Sequence, residues 1–78
     1  MLKIKDSVNL KELEKYGFKY EYEYVTEEQK TEFYYKNGLY IFLGNRELDD
    51  DAYGIRELET LYDLIKDGLV EKVEVKND

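Results

Sequence analysis

The residues able to do chemistry in this chain are few in kind. It has no cysteine and no histidine, and its one serine is Ser7. A Ser/His/Asp or Cys/His arrangement cannot be assembled from these residues. Ser7 stands just before a helical segment, where capping or turn bonding is the ordinary use of a hydroxyl. The five glycines, Gly17, Gly38, Gly44, Gly54 and Gly68, are too dispersed to form a phosphate-cradling loop. A metal would have to be held by oxygen ligands alone, which suits calcium or magnesium. Asp49-Asp50-Asp51 is the obvious carboxylate cluster, and Gly54 falls at the sixth place counted from Asp49. However, Tyr53 stands where such a loop needs Asp or Asn, and Thr60 occupies the position of the closing glutamate. The run therefore reads as a solvated acidic loop before a helix, with no metal site. Tyrosine and glutamate could form an acid–base pair by type, but nothing in their spacing singles one out. The expectation is a protein that is not an enzyme and needs no cofactor.

Charge is the stronger signal. Twelve basic residues face 19 acidic ones, for a net charge of −7. That balance disfavours direct contact with nucleic acid or an anionic membrane, both of which require a positive field. Residues 1–39 hold 8 acids against 7 bases, whereas residues 40–78 hold 11 against 5. Glu47, Asp49, Asp50, Asp51, Glu57, Glu59 and Asp63 cluster around a single base, Arg56. Glu59 and Asp63 are four apart on a helix, where like charges cost a few tenths of a kcal/mol, about 0.2–0.5. Stability alone would not choose them. An acidic ridge made of Glu47, Asp49, Asp50, Asp51, Glu59 and Asp63 would suit a basic protein surface and speed encounter with it. Such a ridge could fill a groove that normally holds nucleic-acid phosphates.

A second feature is tyrosine, nine in 78 residues. Tyr20-Glu21-Tyr22-Glu23-Tyr24 alternates strictly, so the rings share one strand face and the acids the other. Glu21 and Glu23 would stand about 6.5–7 Å apart, the scale of successive basic side chains on a partner. Tyr22 between them offers flat contact area at low entropic cost.

These groups must be carried by a small scaffold. Residues 1–78 form one domain. A core of this size yields on the order of 3–5 kcal/mol, so self-association is the available staple in a chain without disulfides. The first residues lack the apolar stretch of a signal peptide, and no apolar run approaches the roughly 20 residues that span a bilayer. The expected location is the cytoplasm.

Residues 2–5 alternate as a short strand. Asn9 caps a short helix, with Glu12 completing a capping box and Val8 and Leu13 at the staple positions. Gly17 stops that helix and lets Phe18 fold back on Leu13. Residues 18–25 form a strand, 26–30 a polar turn, and 31–36 and 39–43 two further strands. Asn37-Gly38 between the last two is the strongest short hairpin signal. A two-residue turn there sets Lys36 against Leu39, Tyr35 against Tyr40, Tyr34 against Ile41 and Phe33 against Phe42. Phe33, Tyr35, Tyr40 and Phe42 then make an aromatic block on one face, which a second copy of the chain could cover. Residues 45–51 read as an acidic connection. A helix over 55–66 has Leu58, Leu61, Tyr62 and Ile65 as its core stripe. Gly68 ends it, and residues 69–75 form a last strand that can pair with the first, Lys3 and Lys5 complementing Glu71 and Glu74, or either strand can instead lie at an edge. The order β-α-β-β-β-α-β gives an α+β two-layer domain, an antiparallel meander sheet with two short helices on one face.

The opening Leu2-Lys3-Ile4-Lys5-Asp6 with Leu10-Lys11-Glu12-Leu13-Glu14-Lys15-Tyr16-Gly17-Phe18 resembles the start of small proteins encoded by phages and prophages of low-GC Gram-positive bacteria. The tail Leu61-Tyr62-Asp63-Leu64-Ile65-Lys66-Asp67-Gly68-Leu69-Val70-Glu71-Lys72-Val73 is similar to how such proteins end. The resemblance covers about a third of the chain and leaves out the tyrosine-rich hairpin. It implies an accessory protein of a mobile element, and many of those bind and block host factors, CRISPR nucleases among them. It carries over no functional residue. The leading expectation is an acidic interaction protein that binds a basic partner, such as a nucleic-acid-binding host protein, and inhibits it. A homo-oligomeric assembly module, a homodimer in its simplest form, is the alternative.

Overall fold

A computed structural model describes residues 1–50 and 58–73 of the chain. In order these form β1 (Leu2–Ile4), a 3-10 helix (Leu10–Tyr16), β2 (Lys19–Tyr24), β3 (Lys30–Lys36), β4 (Leu39–Phe42), β5 (Leu48–Asp50), α1 (Leu58–Lys66) and β6 (Val70–Lys72). β2, β3, β4 and β5 make a four-stranded antiparallel meander, and β1 pairs with β6 in a separate two-stranded ribbon. A single bridge between Lys3 and Glu47 joins the ribbon to the meander. The α+β class and the antiparallel meander agree with the pattern read from the sequence.

Local chemistry fixes the register. Asn37 and Gly38 both take positive φ, 41° and 89°, as a two-residue type I′ turn requires. The β3–β4 pairs are Lys36 with Leu39, Tyr35 with Tyr40, Tyr34 with Ile41 and Phe33 with Phe42, as the sequence predicts. The β2–β3 connection is closed by Thr26, whose hydroxyl accepts from the amides of Glu28 and Gln29. β1 and β6 pair antiparallel with Lys3 opposite Glu71, and the lysine Nζ lies 3.7 Å from that carboxylate. Glu74 lies outside the described residues.

Two elements differ from expectation. The first helix is 3-10, with the Glu12 amide bonded to the Asn9 carbonyl. The Asn9 side chain caps the amide of Lys11, at 3.0 Å. Only Leu13 is fully buried on this helix, so no 3.6-residue stripe is needed to hold it. The stop is as expected: Gly17 at φ 91°, with the Phe18 amide bonded back to the Leu13 carbonyl. The second difference is β5. Residues 48–50 form the fourth strand of the meander, where the sequence reads as connection. Asp disfavours strands through its side chain, but β5 is held by main-chain pairing to β4 and by Leu48, which is buried.

The core lies on one face of the meander. Tyr34, Leu39, Ile41 and Leu48 pack there with Phe18, Ile4, Leu13 of the 3-10 helix and Leu64 of α1. The stripe expected on α1 is thereby corrected. Leu58, Tyr62 and Ile65 are 69, 63 and 50% exposed, whereas Leu64 and Thr60 are buried and Leu61 is partly so. The helix is rolled so that Leu64 points inward and its carbonyl receives the Leu69 amide, closing the Gly68 stop. Residues 55–57, the start of the expected helix, lie outside the described residues.

Candidate functional site

Strand alternation distributes the chemistry over two faces. Tyr20 pairs with Tyr34 and so lies on the core face, followed along the strand by Tyr22 and Tyr24. Glu21 pairs with Phe33 and Glu23 with Thr31 on the other face. β2 ends the meander, and all six of its residues are exposed. Tyr20, Tyr22 and Tyr24, 44, 53 and 65% exposed, form a ladder with ring centroids 6.4 and 5.7 Å apart. The ladder is anchored at its inner end by an edge-to-face contact of Tyr20 with Tyr34. Lys30 lies over the Tyr22 ring, 5.1 Å from its centroid. The Tyr20 hydroxyl donates to Glu32 at 2.5 Å, a diagonal cross-strand contact. That bond to a carboxylate raises the Tyr20 pKa to about 12. Burial, with Glu14 beside it, also raises that of Tyr34.

On the opposite face stand Phe33, Tyr35, Tyr40 and Phe42. Tyr35 and Tyr40 are 4.8 Å apart, Phe33 and Tyr40 5.4 Å, and Tyr40 stacks on Phe42 at 9°. Phe33 is buried by this packing, and the other three are half-buried. A shallow depression of about 350 Å³ lies here, with Glu23 and Asp49 at its margins.

The ridge residues are divided. Asp49 pairs with Tyr40 and lies on the aromatic face. Glu59 and Asp63 are exposed on α1, which packs its Leu64 against the other face. Glu47 is half-buried at the bridge to Lys3, and its carboxylate accepts from the Asn45 amide group. Asp50 pairs through its backbone with Leu39, and Asp51 lies outside the described residues. Among the described residues, no three carboxylates converge as metal ligands.

The fold also assembles an acidic junction that spacing could not reveal. The Tyr16 hydroxyl donates to Asp67 at 2.6 Å across 51 residues, with Asp63 and Glu12 nearby. Held by the Asp67 bond, by burial and by these charges, Tyr16 has its pKa raised from 10.0 to about 12. A phenol whose folded pKa is raised stabilises the fold fully below its unfolded pKa and loses that contribution as pH climbs through the folded value. Tyr16→Phe is therefore expected to cost about 1 kcal/mol at neutral pH. The variant should also lose less stability than the wild type between pH 10 and 12. Urea midpoints measured across that interval check both statements; parallel curves would show that the bond contributes nothing.

No described helix is long and apolar enough to cross a membrane. No family model, curated protein or solved structure matches the chain.

Proposed function

We propose that this chain is a non-enzymatic interaction protein that binds a basic protein surface and blocks it. The observation that carries the reading is β2: six exposed residues at the end of a sheet, with Glu21 and Glu23 on one face and three tyrosines on the other. The net charge of −7 extends the same attraction over the whole molecule and would speed encounter with a positive partner. Asp49 on β5 adds to that field from the same face as Glu21 and Glu23, and Glu59 and Asp63 add to it from α1. A nucleic-acid-binding host protein is the partner class that fits, because its positive groove normally holds phosphates. Inhibition, a cytoplasmic setting and a mobile-element origin are parts of the same proposal, and they rest on the resemblance of residues 2–18 and 61–73 to phage and prophage proteins.

Capture from a lysate of the source cell, washed at rising salt, tests this. Screening shrinks from about 10 Å at 0.1 M to about 3 Å at 1 M, so a partner held by charge leaves at high salt. The expected result is a stoichiometric basic protein that wild type retains and Glu21→Lys/Glu23→Lys does not. Equal retention by the double variant would sink the assignment to β2. A second reading is a homodimer through Phe33, Tyr35, Tyr40 and Phe42, favoured by three half-buried rings on a face that no described element covers. Light scattering that finds only monomer at high concentration would remove it.

A further inference from the structure

We propose that β2 receives an extended segment of the partner as a fifth strand, and that this segment alternates basic with apolar residues. The inference rests on the reading of the chain as a binder of a basic protein and names how binding occurs. Among the described residues, β2 pairs only with β3, through six consecutive positions without a bulge. One row of its backbone groups is thus left for a partner. Of the usual blunting devices β2 carries only charged side chains, Lys19, Glu21 and Glu23, and these would admit a segment of opposite charge; the strand is not short, holds no proline and is covered by no described element. An added strand would gain main-chain hydrogen bonds, and its alternate side chains would be read by the two faces of β2.

Those faces specify the pattern. Side chains opposite Glu21 and Glu23 are best matched by Lys or Arg at every second position. Side chains between them meet Tyr20, Tyr22 and Tyr24, which favour apolar or aromatic groups. The rings are already held by Tyr34, by Lys30 over Tyr22 and by the Tyr20–Glu32 bond, so little ordering remains to be done on binding.

A second copy of the chain fits this edge less well. Antiparallel self-pairing over five residues of β2 has two registers. One sets Tyr22 on Tyr22 and brings Glu21 against Glu23 twice. The other pairs Lys19 with Glu23 but sets Glu21 on Glu21. Both bring together two chains of net charge −7.

The probe is a short blocked peptide alternating lysine with valine, titrated into the whole protein and followed by calorimetry and amide shifts. A peptide of equal composition with its lysines in one block is the comparison. The alternating peptide is expected to bind about tenfold tighter, and Glu21→Lys/Glu23→Lys to remove about that factor. Backbone N-methylation of the peptide gives the decisive readout and leaves the protein unaltered. Methyl groups at alternate positions of one parity should abolish binding, and at the other parity spare it, because every second amide of an added strand points at the sheet. Loss at both parities, or at neither, overturns strand addition. Equal, salt-sensitive binding of the alternating and block peptides also overturns it, while leaving the basic-partner reading standing. If neither peptide binds, strand addition fails, and the lysate capture decides the broader reading by itself. A dimer with β2 amides protected from exchange would place a second copy on the edge and likewise overturn the proposal.

Discussion

Arg46→Ala is expected to lower stability by about 3 kcal/mol, most of what a domain this small holds. Arg46 ties three parts of the chain together. Its amide donates to the Phe42 carbonyl at 2.9 Å, and its own carbonyl accepts from Ile4 at 2.9 Å. Its guanidinium Nη1 donates to the carbonyls of Lys5 at 2.9 Å and Val8 at 2.6 Å. The β4–β5 turn is thereby fastened to the segment between β1 and the 3-10 helix. A hydrogen bond from a charged donor is worth about 1.5–3 kcal/mol, and two are lost together. The side chain is 25% exposed, so water can replace part of each bond, which argues for the lower end. The ion pair with Asp6 adds little: Nε is 4.0 Å from a carboxylate that is 79% exposed. Arg46 also sits at φ 62°, where a Cβ is unfavourable, and alanine keeps that strain. Arg46→Gly should relieve it and recover up to about 1 kcal/mol relative to alanine. Urea midpoints for the three proteins, at equal m-values, separate guanidinium from backbone. A change below about 0.5 kcal/mol in Arg46→Ala would mean the two carbonyls are served equally well by water.

Such a tie shows where reading the sequence reaches its end. Asn37-Gly38 declares its turn because few residues accept positive φ twice in succession, and four cross-strand pairs follow from it. Gly17 and Gly68 declare their helix stops for the same reason. Glu21, Tyr22 and Glu23 were legible as a surface because period two needs no tertiary information. Arg46 carries no such mark, since its partners lie 38 and 41 residues away and are backbone carbonyls that every residue possesses. The Tyr16–Asp67 bond is hidden likewise. β5 is hidden because its aspartates report only solvent, while its pairing to β4 is main-chain. The acidic run 47–63 is close in sequence, but Asp49 lies on the aromatic face of the meander, whereas Glu59 and Asp63 lie on α1, which packs on the other face.

The face of α1 is the most instructive failure, and it carries the second large effect. Leu64→Ala is expected to cost about 3 kcal/mol, and Ile65→Ala less than about 1. Leu58, Leu61, Tyr62 and Ile65 offer four large apolar groups at helical spacing, and counting alone prefers them. The opposing choice, Leu61 and Leu64 with Thr60 one turn before Leu64, has fewer. It prevails because of what the rest of the fold supplies. Leu69 folds back over Gly68 with its amide on the Leu64 carbonyl, and its side chain packs against the core that Leu64 enters. Lys36, on the core face of β3, reaches the Thr60 hydroxyl at 2.9 Å and the Tyr16 carbonyl at 2.8 Å, so a polar side chain is satisfied inside. Leu64 is 0% exposed and joins Ile4, Leu13, Leu39 and Ile41 in the fully buried set, so truncating it leaves a cavity that the sheet cannot follow. Ile65 is half in solvent already, and its truncation removes only partial burial. Chemical denaturation of the two variants decides between the faces. If Ile65→Ala were the costlier, α1 would be rolled in solution by about one residue, and the spacing would have been right after all.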